Sequence, residues 1–219
     1  MALPTYLELV NDVLVRLREP EVSTVQENVL SKLIGKLVND AKRQVEDAYT
    51  WAALTTTKTT TTSDTVYNYA IAGTGSRFKV IDAYNTTNHF RMQGVSTPRM
   101  TQNFLLTPQA LTGTPREYLF SGIDSNGDAK VDLFPIPVDA QTIQWNLYIP
   151  QDKLSSDSTA MMVPSEPVIL GAFARALVER GEDGGLNSSE AYGLYKASLA
   201  DAIAIESSRY SEEDAWEAV

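Results

Sequence analysis

Asp124, Asn126 and Asp128 set side-chain oxygens at alternating positions, the opening of a calcium-binding loop. The pattern then fails. The position that needs glycine for the sharp turn is Ala129, and the one that needs a bidentate glutamate is Pro135. Asn126-Gly127 between two alternating runs reads instead as a tight hairpin turn, whose residues need φ > 0. Gly73-Thr74-Gly75-Ser76 hints at a phosphate cradle, but no Gly-Lys-Ser/Thr follows and Phe78 stands at the third glycine of the dinucleotide pattern. It reads as a turn. His89 is the single histidine, with no second imidazole and no serine-nucleophile context, so it is expected on a surface or strand edge. Asp128, Asp132 and Asp139 could supply a glycosidase pair, yet acids alternating with apolar residues are ordinary outward positions on a strand. These residues predict no catalytic constellation, no metal site and no cofactor, and hence a protein that is not an enzyme.

The composition narrows the field further. The 219 residues are 43% hydrophobic, enough to bury a sizeable core, and cysteine is absent, which removes thiol catalysis, disulfides and the usual iron–sulfur and structural zinc sites. No run approaches the eighteen apolar residues of a membrane span, and Met1 is followed by ALPTYLELV rather than a basic and apolar leader, so a soluble, non-secreted protein is expected. The formal net charge of −10 argues against wrapping nucleic acid by phosphate neutralisation. From Asp201 onward six acids face Arg209 alone, a local charge of −5 that reads either as a solvated terminus or as a docking tail for a basic partner.

The elements that must carry these residues follow from pattern. Thr5 with Glu8 makes a capping box ahead of Leu7, Val10, Leu14 and Leu17. Ser23 with Gln26 repeats it and predicts a helix running to Ala53, about 45 Å at 1.5 Å per residue. Leu30, Ile34, Leu37, Ala41, Val45 and Ala48 would be its buried face, with Lys32, Lys36 and Arg43 nearly opposite as a basic stripe. The threonine run 55–62 breaks the helix and favours an extended strand. Strands are predicted over 65–71, 77–84 and 89–93, then a long loop over 94–113 with a helical turn near Met100 to Leu105. Segments 116–121, 130–134 and 142–148 read as a three-stranded antiparallel meander, with Pro135 and Pro137 stopping its second strand. Ser165-Glu166-Pro167 opens a helix that Gly181 ends. Asn187 with Glu190 opens a last one, with Leu194, Ser198, Ala202 and Ile205 along its face.

The expected architecture is α+β: a four-helix bundle from N- and C-terminal helical hairpins with an inserted antiparallel β module. The boundaries are a helical arm over 1–54, a β module over 55–160, a second helical arm over 161–206 and an acidic tail over 207–219.

Taken in order, Ala41 to Leu54 (AKRQVEDAYTWAAL) with its threonine-rich exit, KVDLFPIP (Lys130 to Pro137), NLYIPQDKL (Asn146 to Leu154) and MMVPSEPVILGAFARAL (Met161 to Leu177) resemble the head-to-tail adaptor proteins of tailed double-stranded DNA bacteriophages, especially the tail tubular protein A type of short-tailed phages. The resemblance implies a virion subunit of a homo-oligomeric ring, usually of twelve copies, assembled in the host cytoplasm. It would bind beneath the portal protein, extend the DNA channel without sequence-specific contact, and present a platform for the tail nozzle protein, with no membrane partner. It assigns portal docking to the tail, with Arg209, Tyr210, Glu212, Glu213 and Asp214 around the apolar anchor Trp216. Lys32, Lys36 and Arg43 would line the channel or meet a neighbouring subunit. Asp124, Asn126, Asp128, Arg99 and Phe104 would face the nozzle. The alternative is a receptor- or glycan-binding tail component, with Tyr67, Tyr69, Tyr84 and Trp145 as an exposed aromatic platform.

Overall fold

The structure is a computed structural model describing residues 3–106, 111–181 and 186–209. The chain divides into two compact units, one from residues 1–54 and 151–219 and one from residues 55–150.

In the first unit, Thr5 caps helix α1 (Tyr6–Arg16) reciprocally with Glu8: Thr5 Oγ1 accepts from Glu8 N at 3.3 Å and Glu8 Oε2 accepts from Thr5 N at 2.7 Å. The helix buries Tyr6, Leu9, Val10, Val13 and Leu14. Helix α2 (Val29–Ala48) starts later than expected. Ser23 N and Oγ both donate to Glu27 Oε2, at 2.7 and 2.8 Å, closing a local turn, and Asn28 with Ser31 makes the cap instead. At 20 residues it spans about 30 Å, not 45 Å. Gly35 lets α1 approach closely, since a Cβ there would stand 2.4 Å from Tyr6 Oη. Helix α4 (Ser165–Arg180) ends at Gly181, whose φ of 64° is the left-handed cap. Helix α5 (Leu186–Ser207) follows.

The expectation of a four-helix bundle is corrected. The molecule is α+β with helices at both ends of the chain, but α4 is the shared member: it packs against α1, α2 and α5, while α5 rests chiefly on α4. Two physical reasons account for this. Leu194 and Ile205, expected on the buried face of α5, are each 60% exposed, and its inward positions are Ser188, Ala191, Tyr195 and Glu206, so apolar residues are spread around it rather than gathered in one stripe. The other is an extended strap, residues 151–164, that meets apolar and polar needs of α1 and α2 which a bundle would give to a helix. Tyr6 N donates to Thr159 O at 2.9 Å, Leu7 N to Asp157 O at 3.1 Å and Met161 N to Pro4 O at 2.9 Å, and Leu154, Met161 and Val163 are buried. Asn39 bonds Leu154 through both amide atoms, accepting at 2.8 Å and donating at 3.1 Å. One turn further along α2, Lys42 Nζ binds Glu46 Oε1 at 2.6 Å and donates to the carbonyls of Gln151 and Asp152 at 2.7 and 3.1 Å. Both side chains are buried.

The second unit is a sandwich of two four-stranded sheets. Strands β1 (Thr55–Thr61), β8 (Thr142–Tyr148), β3 (Lys79–Asn85) and β4 (Phe90–Arg91) lie in that order in one sheet. In the other the order is β2 (Asn68–Ile71), β7 (Ala129–Phe134), β6 (Glu117–Ile123) and β5 (Gln93–Gly94). Between β5 and β6 stand a short helix α3 (Thr97–Thr101) and a π turn over Gln102–Leu106, where the sequence suggested mostly loop. The expected meander is therefore split. β6 and β7 pair as a hairpin through Gly127, whose φ is 86°, but β8 leaves them and inserts between β1 and β3. The alternation in both strands explains it: Val131 and Leu133 of β7 and Ile143, Trp145 and Leu147 of β8 are all wholly buried in one core with Ile71, Ala83 and Met92. A single flat sheet would leave those faces in water, and the proline-bearing stretch after Phe134 carries the chain across instead.

Candidate interaction surfaces

Lys32, Lys36 and Arg43 share one side of α2 by helical spacing, and all three are exposed. None of them enters an ion pair among the described residues. Lys42 belongs to the opposite, inward side, and its burial with Glu46 is what the helical wheel did not announce. Two charges at i and i+4 ordinarily read as a solvated pair.

The sandwich loops use several of the polar groups that sequence reasoning directed outward. Asp124 Oδ1 accepts from Asn126 N at 2.8 Å and from Asp128 N at 2.9 Å, and these bonds, that from Asp128 first, hold its carboxyl below the usual aspartate range. Asp128 Oδ1 accepts from the backbone N–H of Gly73 at 2.9 Å and Thr74 at 3.1 Å, while Thr74 Oγ1 accepts from Ala129 N at 2.7 Å. The two glycine-bearing turns are thus stitched together, and the calcium-like and phosphate-like patterns are two halves of one structural joint. Asn126 stays exposed at the hairpin tip.

Arg99 and Phe104 are likewise engaged. Arg99 pairs with Glu117 at 3.4 Å, and Asn103 Nδ2 donates to the same carboxylate at 2.6 Å. The Phe104 ring packs between Tyr67 and Phe134, with centroids 5.0 and 5.5 Å away. The most exposed large apolar side chains of this connection among the described residues are Leu105 and Leu106, each 76% exposed, which sequence reasoning missed although the pair directly follows Phe104. Positions 107–110 of the long loop lie outside the described residues.

Of the docking residues, Arg209 is exposed and pairs with the buried Glu206 at 2.8 Å. Glu206 also accepts from Ala52 N at 2.8 Å, which ties the end of α5 to the exit of α2. Tyr210, Glu212, Glu213, Asp214 and Trp216 lie outside the described residues.

A family model described as the SU10 adaptor protein matches residues 4–217, through both units and into the acidic tail. The chain belongs to the SU10 adaptor protein family. It is a bacteriophage adaptor, a structural component of the virion. Comparison with curated proteins gives no match.

Two further features of the adaptor bear on its surface. Of the aromatic residues named for the glycan-binding alternative, Trp145 is wholly buried against Tyr118 and Phe120, Tyr69 and Tyr84 are half-buried, and Tyr67 is exposed while its ring stacks on Phe104. Among the described residues no helix is long and apolar enough to cross a membrane, and no three acidic or imidazole side chains gather as a metal site.

Proposed function

We propose that the adaptor assembles as a homo-oligomeric ring, twelve copies by the usual rule of such proteins, beneath the portal, where it extends the DNA channel and carries the tail nozzle. The family match over residues 4–217 is the observation that supports this most directly. The role is one of contact rather than reaction, and it needs no cofactor.

In this reading, Ser207 to Val219 docks on the portal, with Trp216 as the apolar anchor among acids, the kind of residue that dominates interface energetics. Lys32, Lys36 and Arg43, without ion-pair partners among the described residues, are cations on a chain of net charge −10, available to meet an acidic neighbour or the passing DNA. Like charge elsewhere lets DNA slide without sticking. The nozzle contact falls to the sandwich connections, the long loop over 94–113 and the Asp124 to Asp128 hairpin, because loops on a rigid scaffold commonly carry recognition.

The test is to mix purified portal with the full chain and with a chain ending at Glu206, then measure particle mass and image the products by electron microscopy. Portals bearing a ring of the full chain and bare portals with the truncated one are the expected result. Equal binding of both would overturn the tail assignment, and bare portals in both mixtures would overturn the ring.

A further inference from the structure

Three of the four outer strands of the sandwich are short: β4 and β5 have two residues each and β2 has four. Shortness is one of the ordinary ways a protein blunts a sheet edge. β1 is the exception. It has seven residues, TTTKTTT, pairs with β8 alone, and does so in unbroken register from Thr55 opposite Tyr148 to Thr61 opposite Thr142. It contains no proline, no bulge and one charge.

The direction of its backbone groups follows from its end. Thr62 N donates to Gln141 O at 2.8 Å, one step beyond the last ladder pair. In an antiparallel pair the N–H and C=O of one residue point the same way and alternate from residue to residue. Thr56, Lys58 and Thr60 therefore point at β8, and Thr57, Thr59 and Thr61 point away from it. The side chains of these last three residues are exposed, and no hydrogen bond among the described residues takes their backbone N–H or C=O.

We infer that β1 is a self-recognition edge, on which the β1 strand of a second copy of this chain adds antiparallel in the unassembled adaptor. Among the described edge strands only β1 itself matches β1 in length. A two-fold axis at Thr59 sets Thr57 opposite Thr61 of the second copy and Thr59 opposite its counterpart, so both backbone groups of all three residues find partners. The same register puts Lys58 opposite a threonine. A register centred on Lys58 would oppose like charges, which is destabilising, and so it is disfavoured. The outward-bonded cross-strand neighbours, Thr57 with Thr61 and Thr59 with its counterpart, become threonine pairs, a favourable combination on a sheet. Such a contact uses the same patch on both copies and closes on itself, so it is separate from the head-to-tail contacts of a ring and does not rest on the ring proposal.

Thr59→Pro is the informative change, because an outward N–H on an edge strand can be lost without breaking the ladder to β8. The isolated full chain should show the mass of two copies by light scattering at high concentration and of one on dilution. Thr59→Pro should show one copy throughout with an unchanged circular dichroism spectrum. Hydrogen exchange on the unmodified chain gives a reading that does not depend on the variant folding: the peptide covering 55–62 should exchange more slowly at high concentration than at low. A single-copy mass at every concentration, or exchange there that ignores concentration, would overturn the inference.

Discussion

The two units place their polar groups in opposite ways. In the sandwich the centre is apolar, built from Trp145, Leu133, Ile143 and their neighbours, and the carboxylates of Asp124 and Asp128 tie turns together at the rim. The helical unit has a charged pair in its interior: Lys42 and Glu46 hold the backbone of the strap at Gln151 and Asp152. The difference follows from what each must bury. A sheet satisfies its own backbone, whereas an extended strap packed on helices brings carbonyls and N–H groups that helices cannot pair, so side chains must. Polar residues inside the helical unit thus hold an extended strap, whereas those of the sandwich rim join one turn to another.

The largest effect should come from breaking the interior pair. Lys42→Ala leaves Glu46 buried beside unpaired strap carbonyls, a class of change that costs about 3–5 kcal/mol, and denaturant unfolding should show the loss in the helical unit. The Lys42→Met and Glu46→Leu double variant should recover only the part due to the unpaired carboxylate, because the Gln151 and Asp152 carbonyls stay without their donor. If Lys42→Ala were as stable as the unmodified chain, the contrast between the units would collapse. In the sandwich, Leu133→Ala should cost about 2–4 kcal/mol by opening a cavity in a wholly buried position, detected as a shift in the same titration followed at Trp145.

Acid should reach both units through exposed caps. Glu8 is held below its ordinary range by the N–H and hydroxyl of Thr5, as Asp124 is by the N–H groups of Asp128 and Asn126. A carboxyl depressed in the folded state contributes stability that is full above its unfolded pKa and is lost as the pH falls through the lower folded value. Glu8→Gln and Asp124→Asn should therefore flatten the acid limb of stability below the ordinary carboxylate range, each in its own unit. An acid limb unchanged in both variants would show that these caps carry no linkage. The smallest stability effect belongs to reversing Lys32, Lys36 and Arg43 together, expected within about 0.5 kcal/mol of the unmodified chain because all three are solvated. Assembly on portals should suffer nonetheless, and normal particles would reduce the stripe to a solvated face.

What was legible in the sequence was local. The Thr5 and Glu8 box, the stop at Gly181, the Asn126-Gly127 turn and the threonine strand each depend on a few neighbouring residues, and each stands where expected. The start of α2 was misplaced because two cap patterns stand five residues apart and Ser23 spends its bonds on Glu27. Long-range choices were not readable in this way. The alternation of β8 fits either a meander or the opposite sheet, and only a core shared with β7 decides between them. The face of α5 was misread for a related reason, since apolar residues on several sides leave the helical wheel without a direction. Of the candidate surface, the basic stripe was legible from spacing, whereas the anchoring of Asp128 was not, because its partners are backbone groups more than fifty residues away in Gly73 and Thr74.

The strap has a further consequence for synthesis. Pro4, Tyr6 and Leu7 take their backbone partners from Met161, Thr159 and Asp157, so the first helix emerges from the ribosome long before the residues that complete its surroundings exist. The sandwich, contained within residues 55–150, has all its strands available earlier. Nascent adaptor should therefore mature from the middle outward, with the amino-terminal helices waiting, partly unpaired, for the carboxy-terminal third of the chain.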